Sequence, residues 1–111
     1  MTVKPGLILF AHGARDPRWA APFEAVHARV RSMRPGTEVR LAYLELMTPD
    51  LPTAIDELRA AGCRSIEVLP MFLGTGGHLR RDLPALLDQV RQRHPTLTMA
   101  LHAAVGEPHD V

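Results

Sequence analysis

The chain holds a single cysteine, Cys63, among its 111 residues. No internal disulfide and no thiolate metal cluster can form, and a reducing compartment is the expected setting. Charge of one sign is also missing. Thirteen Lys and Arg offset twelve Asp and Glu for a net charge of +1, so no basic field points to nucleic acid or to an acidic membrane surface. The longest apolar stretch falls far short of a membrane span. No signal-peptide core followed by a small-residue cleavage site opens the sequence. A soluble, cytoplasmic chain forming one domain over residues 1–111 is expected.

Several chemical signatures are absent as well. Nothing matches the phosphate-cradling GxxxxGK(S/T) motif. The Gly74–Gly77 run is not GxGxxG, and no acidic residue follows at the distance a dinucleotide ribose needs. No GxSxG and no Cys–His nucleophile arrangement occurs. Metal chemistry is the sharpest option left.

What is present is an ordinary globular composition, 46% hydrophobic and 23% charged, arranged in alternating periods. Leu7-Ile8-Leu9-Phe10-Ala11 reads as a strand buried on both faces, ending abruptly at His12-Gly13. Trp19, Phe23, Val26, Val30 and Met33 recur at helical spacing. Pro22 suits a first helical turn, so the helix starts near residue 20, and Pro35-Gly36 stops it. Glu38–Leu46 is expected as a second strand, with Val39, Leu41, Tyr43 and Glu45 on one side. Thr48-Pro49-Asp50 supplies cap chemistry for a helix whose stripe is Leu51, Ala54, Ile55 and Leu58, closed by Gly62. Ile66–Leu69 forms a third strand with Pro70 near its exit. A glycine-rich loop, Gly74–His78, leads to a helix with Asp82 as its expected N-cap and Pro84 in its first turn. Leu83, Leu86, Leu87 and Val90 share a face, His94-Pro95 ends the helix, and Leu97–Leu101 is the fourth strand.

This β-α-β-α-β-α-β order implies an α/β fold of three layers, with a four-stranded parallel sheet in the order 2-1-3-4 built from right-handed crossovers. It is flavodoxin-like in outline. Helix-to-strand loops are tight, whereas those leaving strands one and three are long and rich in Gly, His and Arg. Function is expected at that carboxyl edge. After strand four only Ala103–Val111 remains, too short and too broken by Gly and Pro for a final helix over strands three and four. Exposing that face would cost several kcal/mol at about 25 cal/mol per Å², so a two-fold homodimer is expected.

Six histidines are present. His12 and His78 follow strands one and three, neighbours at the switch point of a 2-1-3-4 sheet. Each taken alone reads as a solvated loop histidine; two on adjacent exits, each beside glycine, point to a pair facing across the crevice. Two imidazoles suit Co²⁺, Fe²⁺, Ni²⁺ or Zn²⁺. Glu45, leaving strand two, would complete a His-His-carboxylate set able to hold a metal loosely or accept protons. Asp82 either orients His78 or caps the helix. Arg15, Arg18, Arg80 and Arg81 crowd the same loops, where they either are solvated or pair with carboxylates of an anionic ligand. Met47, Met71, Phe72 and Leu73 offer a flat apolar wall or core packing, the latter being the better reading of Phe72. His27 is structural or exposed, His94 is a helix-end residue, His102 is a weak outer-ligand candidate, and His109 lies in the tail.

Phe10-Ala11-His12-Gly13-Ala14-Arg15-Asp16-Pro17, Tyr43-Leu44-Glu45 with Pro49, and Leu69–Leu73 leading into Gly76-Gly77-His78 and Asp82-Leu83-Pro84 together resemble the short sirohydrochlorin chelatases. These belong to the class II tetrapyrrole chelatases, and the resemblance covers nearly the whole chain. It implies a chelatase-like half domain and a lyase that inserts Co²⁺ or Fe²⁺, as metal substrate, into sirohydrochlorin for cobalamin or sirohaem biosynthesis, without an organic cofactor. It implies His12 and His78 as the metal-handling and catalytic pair, Glu45 as support, and a homodimer. Short members usually continue into a final helix where this chain reaches Gly106–Val111. A non-catalytic metal- or tetrapyrrole-binding carrier is the alternative. A flavodoxin-like receiver is disfavoured, since it needs acidic residues at the strand exits that hold histidines.

Overall fold

The computed structural model describes residues 4–71 and 77–102, and for residues 77–83 the backbone alone. Four strands, β1 (Pro5–Ala11), β2 (Glu38–Tyr43), β3 (Ser65–Pro70) and β4 (Thr98–Leu101), form one parallel sheet in the order β2-β1-β3-β4. The expected strand order and class are therefore those observed. The connecting helices are α1 (Ala21–Met33), α2 (Leu51–Ala60) and α3 (Gly77–Arg93), with a 3-10 turn at Pro17–Ala20 ahead of α1.

β1 is the centre of the sheet, with six of its seven residues buried. Alternate side chains go to opposite layers. Ile8 and Phe10 join Ala54, Ile55 and Leu58 of α2 and Leu87 and Val90 of α3 in the larger core. Leu7 and Leu9 join Val39 on the other face, with Val30 of α1 packed against them. Each fully buried Leu or Ile of this kind stabilises by about 1.5–3 kcal/mol. Gly6 lets α2 and β3 close on β1: a Cβ there would stand 3.1–3.3 Å from Leu58, Ile66 and Cys63.

The stripe read for α2 is buried in full against the sheet, and Asp50 fixes where the helix starts. The Asp50 Oδ1 accepts the Thr53 N–H at 2.9 Å, supplying the N-cap bond. Gly62 (φ +97°) then turns the chain at the other end. The stripe read for α1 is corrected. Val26 and Met33 are exposed, and no α1 residue is fully buried. The helix instead turns Phe23, His27 and Val30 inward, and His27 Nε2 lies 2.9 Å from the Val39 carbonyl oxygen. His27 is thus structural.

Two further readings need correction. β2 stops at Tyr43 rather than Leu46, since the chain turns sharply there. α3 begins at Gly77, so Asp82 is not its N-cap and Pro84 lies in its interior rather than its first turn. The glycines that read as loop already belong to the helix at Gly77. Pro84 lacks the N–H that would bond four residues back, yet the helix runs on to Arg93. The glycine-rich stretch 72–76 and the tail 103–111 lie outside the described residues, and with them Phe72, Leu73, His109 and the reading of a missing final helix.

Among the described residues, only α1 lies on the Leu7–Leu9 face of the sheet, and α2 and α3 share the other. The part of that face expected to be an apolar exposure, over β3 and β4, carries a polar pair instead. Glu67 Oε1 and His102 Nε2 stand 3.7 Å apart, both half exposed. Leu69 and Met71 are half-buried against Leu7, Leu9 and Val39.

Candidate active site at the carboxyl edge of the sheet

The site forms where β1 and β2 run out together. Their ladder does not end with the strands: Leu44 N–H donates to Ala11 O at 2.9 Å, and Glu45 N–H to His12 O at 3.1 Å. These two bonds bring the residue after β1 alongside the second residue after β2. His12 Nε2 consequently lies 3.2 Å from Glu45 Oε1, with both side chains about half exposed. The proximity expected from the neighbouring exits is fixed by backbone bonding, not by a chance approach of long side chains.

Gly13 is the condition for that closeness. It has φ +98°, and a Cβ there would drive into the carbonyl oxygen of Glu45. Only glycine tolerates both demands. Past Glu45 the chain reverses: Met47 N–H donates to Glu45 O at 2.8 Å, Leu46 has φ +68°, and Tyr43 N–H donates to Pro49 O at 2.9 Å. The Thr48–Pro49 peptide in this turn is cis.

Beneath the loops lies an aromatic support. Trp19 and Phe23 rings are 4.5 Å apart, and Trp19 stands 6.4 Å from Tyr43. They pack with Ala11, Ala20 and Met47. Met47 is thus half-buried in this cluster, below the rim. Burial pushes the Tyr43 phenol above its ordinary pKa, and the Glu24 carboxylate adds to the rise. The Cys63 thiol is likewise pushed up by burial, which keeps it an unreactive core residue.

The arginines divide. Arg18 is aligned on Asp16, its Nε 3.1 Å and Nη2 2.9 Å from the two carboxylate oxygens. Asp16 Oδ1 also accepts the Arg18 N–H and so caps the 3-10 turn. The Arg18 guanidinium holds the Asp16 carboxyl below its usual range. Arg15 is exposed on the same loop. The side chains of Arg80 and Arg81 lie outside the described residues.

β3 leaves the sheet beside β1, where Met71 N–H donates to Phe10 O at 2.7 Å. Its continuation returns as α3, whose first turn carries His78. β3 and β1 are neighbours in the sheet, so their exits adjoin; the chain between Met71 and Gly77 and the His78 imidazole lie outside the described residues and side chains. His102 is not part of this group, since β3 separates β4 from β1 and its partner is Glu67. His94 and Asp56 pair at 2.8 Å between α3 and α2, with Arg93 on the other Asp56 oxygen at 2.8 Å, a tie between helices. Among the described residues no three His, Cys, Asp or Glu side chains converge as a metal site. The His12–Glu45 pair offers two donors.

Two features of the site carry no signature in the sequence. One is the collision that forbids a side chain at Gly13. The other is the left-handed Leu46, which reads as a strand residue until the turn is seen.

The architecture is that of a doubly wound parallel α/β protein, a class whose ligands bind at the carboxyl ends of the strands, the edge at which the His12–Glu45 pair lies. Within that class the chain belongs to the CbiX family, which it matches over residues 6–111. It is 30% identical over 84 residues to a sirohydrochlorin cobaltochelatase of Methanococcus aeolicus, covering 76% of this chain and 59% of the relative. It is 33% identical over 85 residues to a sirohydrochlorin cobaltochelatase of Saccharolobus solfataricus, covering 74% and 62%. The chain therefore spans about three fifths of the length of these curated relatives. Among solved structures, one described as a cobalamin (vitamin B12) biosynthesis CbiX protein from Marinobacter aquaeolei VT8 superposes with a TM-score of 0.82 at 32% identity, over 94% of this chain and 84% of that one. SirB from Bacillus subtilis with Fe³⁺ shares the fold, with a TM-score of 0.81 at 22% identity, over 92% of this chain and 40% of that one.

Proposed function

We propose that this chain is a sirohydrochlorin metal chelatase, inserting Co²⁺ or Fe²⁺ into the macrocycle. The observation that carries the reading is the His12–Glu45 pair at 3.2 Å, held at the carboxyl edge of the sheet. The sirohydrochlorin cobaltochelatases among the relatives support it.

The chemistry asks for what this pair supplies. As M²⁺ enters the ring, two pyrrole N–H protons must leave, so a metal donor and a base must face the ring centre together. His12 Nε2 and a Glu45 oxygen can share one cation or one proton between them. Both groups are half exposed, so a cation is reached from solvent and released again. A closed four-ligand site would hold the metal too tightly for transfer. His78 serves as the second imidazole in this reading. Arg15, Arg18, Arg80 and Arg81 meet the peripheral carboxylates of the ring and Phe72 contributes apolar contact, while Met47, half-buried in the aromatic cluster below the rim, supports the loop rather than touching the ring. Two subunits related by a two-fold axis form the working unit in the cytoplasm, a reading that rests on the family resemblance and not on the polar β3–β4 face.

An anaerobic absorbance assay with sirohydrochlorin and each metal tests the proposal. Catalytic growth of the metallated bands is expected, and His12→Ala and His78→Ala should each abolish it with the fold intact. A band shift that stops at one equivalent of protein would assign a carrier instead. Near-normal rates in both variants would overturn the assignment. Sedimentation at micromolar protein should show a dimer; a stable monomer refutes that part.

A further inference from the structure

Leu46 combines two properties that work against each other in a free loop. Its φ of +68° is left-handed, a region that crowds the Cβ of any L residue. The residue is 58% exposed, among the largest apolar exposures in the described chain. A turn that needs only a positive φ is met with less strain by glycine or asparagine. Leucine gives no local hydrogen bond in return and leaves an apolar group in water.

The surroundings fix the strain in place. Glu45, immediately before, is bonded through its N–H to His12 O and through its carbonyl to Met47 N–H, and that carbonyl abuts Gly13. Met47, immediately after, turns down into the Ala11–Ala20–Tyr43 cluster. With one neighbour held by the His12 loop and the other by the core, Leu46 is directed outward. It stands at the rim, one residue from the carboxylate that pairs with His12. Strained residues held by their surroundings in this way occur at ligand clamps.

We infer that Leu46 is a substrate-contact residue, a fixed apolar post that packs against the face of a flat macrocycle whose centre lies over His12 and Glu45. The inference rests on the metal-insertion reading above. It concerns binding, not chemistry: Leu46 has no group that can carry a proton or a metal.

The test compares wild type with Leu46→Gly, Leu46→Asn and Leu46→Met in steady-state insertion of Co²⁺ into sirohydrochlorin, with thermal melting alongside. Glycine and asparagine both accept a positive φ, so neither disturbs the turn, and Leu46→Gly should melt about 2–4 °C higher through relief of strain. Both should raise KM for sirohydrochlorin about tenfold, the scale of losing most of one buried leucine contact. kcat should stay within about twofold. Leu46→Met, which restores an apolar side chain, should return KM to near the wild-type value. An unchanged KM in the glycine and asparagine variants overturns the inference, as does a rise in the glycine variant alone, which would reflect loop mobility. Absence of turnover in wild type itself overturns the chelatase reading, a separate result.

Discussion

Replacing Gly13 by alanine should uncouple the two halves of the site at their backbone. The residue sits at φ +98°, and its new Cβ would meet the Glu45 carbonyl oxygen. Left-handed strain costs an L residue about 1–2 kcal/mol. Relieving the collision requires the Glu45 segment to withdraw, which breaks the Glu45 N–H to His12 O bond, worth about 1 kcal/mol net. The lower entropy of an unfolded alanine returns about 0.5–1 kcal/mol. The net loss is about 2 kcal/mol, or a fall in Tm of about 8 °C for a domain of this size. Circular dichroism melts measure that loss. The insertion assay measures the second consequence: with Glu45 displaced, Gly13→Ala should lose activity as completely as His12→Ala, although it removes no donor. A Gly13→Ala protein that melts within about 2 °C of wild type and turns over normally would refute the reasoning, since the left-handed turn and the carbonyl contact would then be unnecessary.

Other outcomes follow from the same structure. Glu45→Gln keeps the size of the side chain but not its basicity, and should lower kcat about a hundredfold with little change in Tm; an unaffected kcat would remove Glu45 from proton transfer. Gly6→Ala places a Cβ 3.1–3.3 Å from Leu58, Ile66 and Cys63. It should cost about 1–3 kcal/mol by overpacking, read as a lower urea midpoint at unchanged m. Hydrogen bonds from Thr53, side chain first and then backbone, hold the Asp50 carboxyl below its ordinary pKa. A depressed folded pKa stabilises above the unfolded value near 3.9 and loses that contribution as pH falls through the lower folded one. Asp50→Ala should therefore cost about 1 kcal/mol at neutral pH, with the gap from wild type closing below about pH 4. Asp50→Asn should show most of the capping and none of that pH dependence.

The strand order was legible because each crossover announces itself. A buried apolar run, a polar loop and a helical period repeat three times, and right-handed parallel connections leave few ways to arrange them. α2 was legible to the residue, since Asp50 caps it and all four stripe positions face the sheet. α1 was not: its apolar spacing admits two phases, and the structure takes the one that turns His27 to the Val39 carbonyl and leaves Val26 and Met33 in solvent. Local sequence could not decide between them, because the choice depends on what β2 offers underneath. α3 was misread at its start for a related reason, as glycine and proline are poor helix formers and the helix runs through both Gly77 and Pro84. At the site, His12 and Glu45 could be paired from topology alone. Leu46 and the constraint at Gly13 could not, because each arises only where two loops distant in sequence touch.

That division bears on why the site is built as it is. Two half-exposed side chains 3.2 Å apart contribute at most about 1 kcal/mol to folding, so stability does not account for the pair. The constraints lie in the backbone instead: a glycine that admits the Glu45 carbonyl, a ladder continued past the strand ends, and a leucine held left-handed. On the metal-insertion reading proposed above, a donor pair that takes a cation from water and releases it again needs exposed side chains. If the side chains are to be exposed and still correctly spaced, the main chain has to do the spacing. Side-chain substitutions at His12 and Glu45 should therefore change activity and leave stability nearly alone, whereas a backbone change at Gly13 should change both.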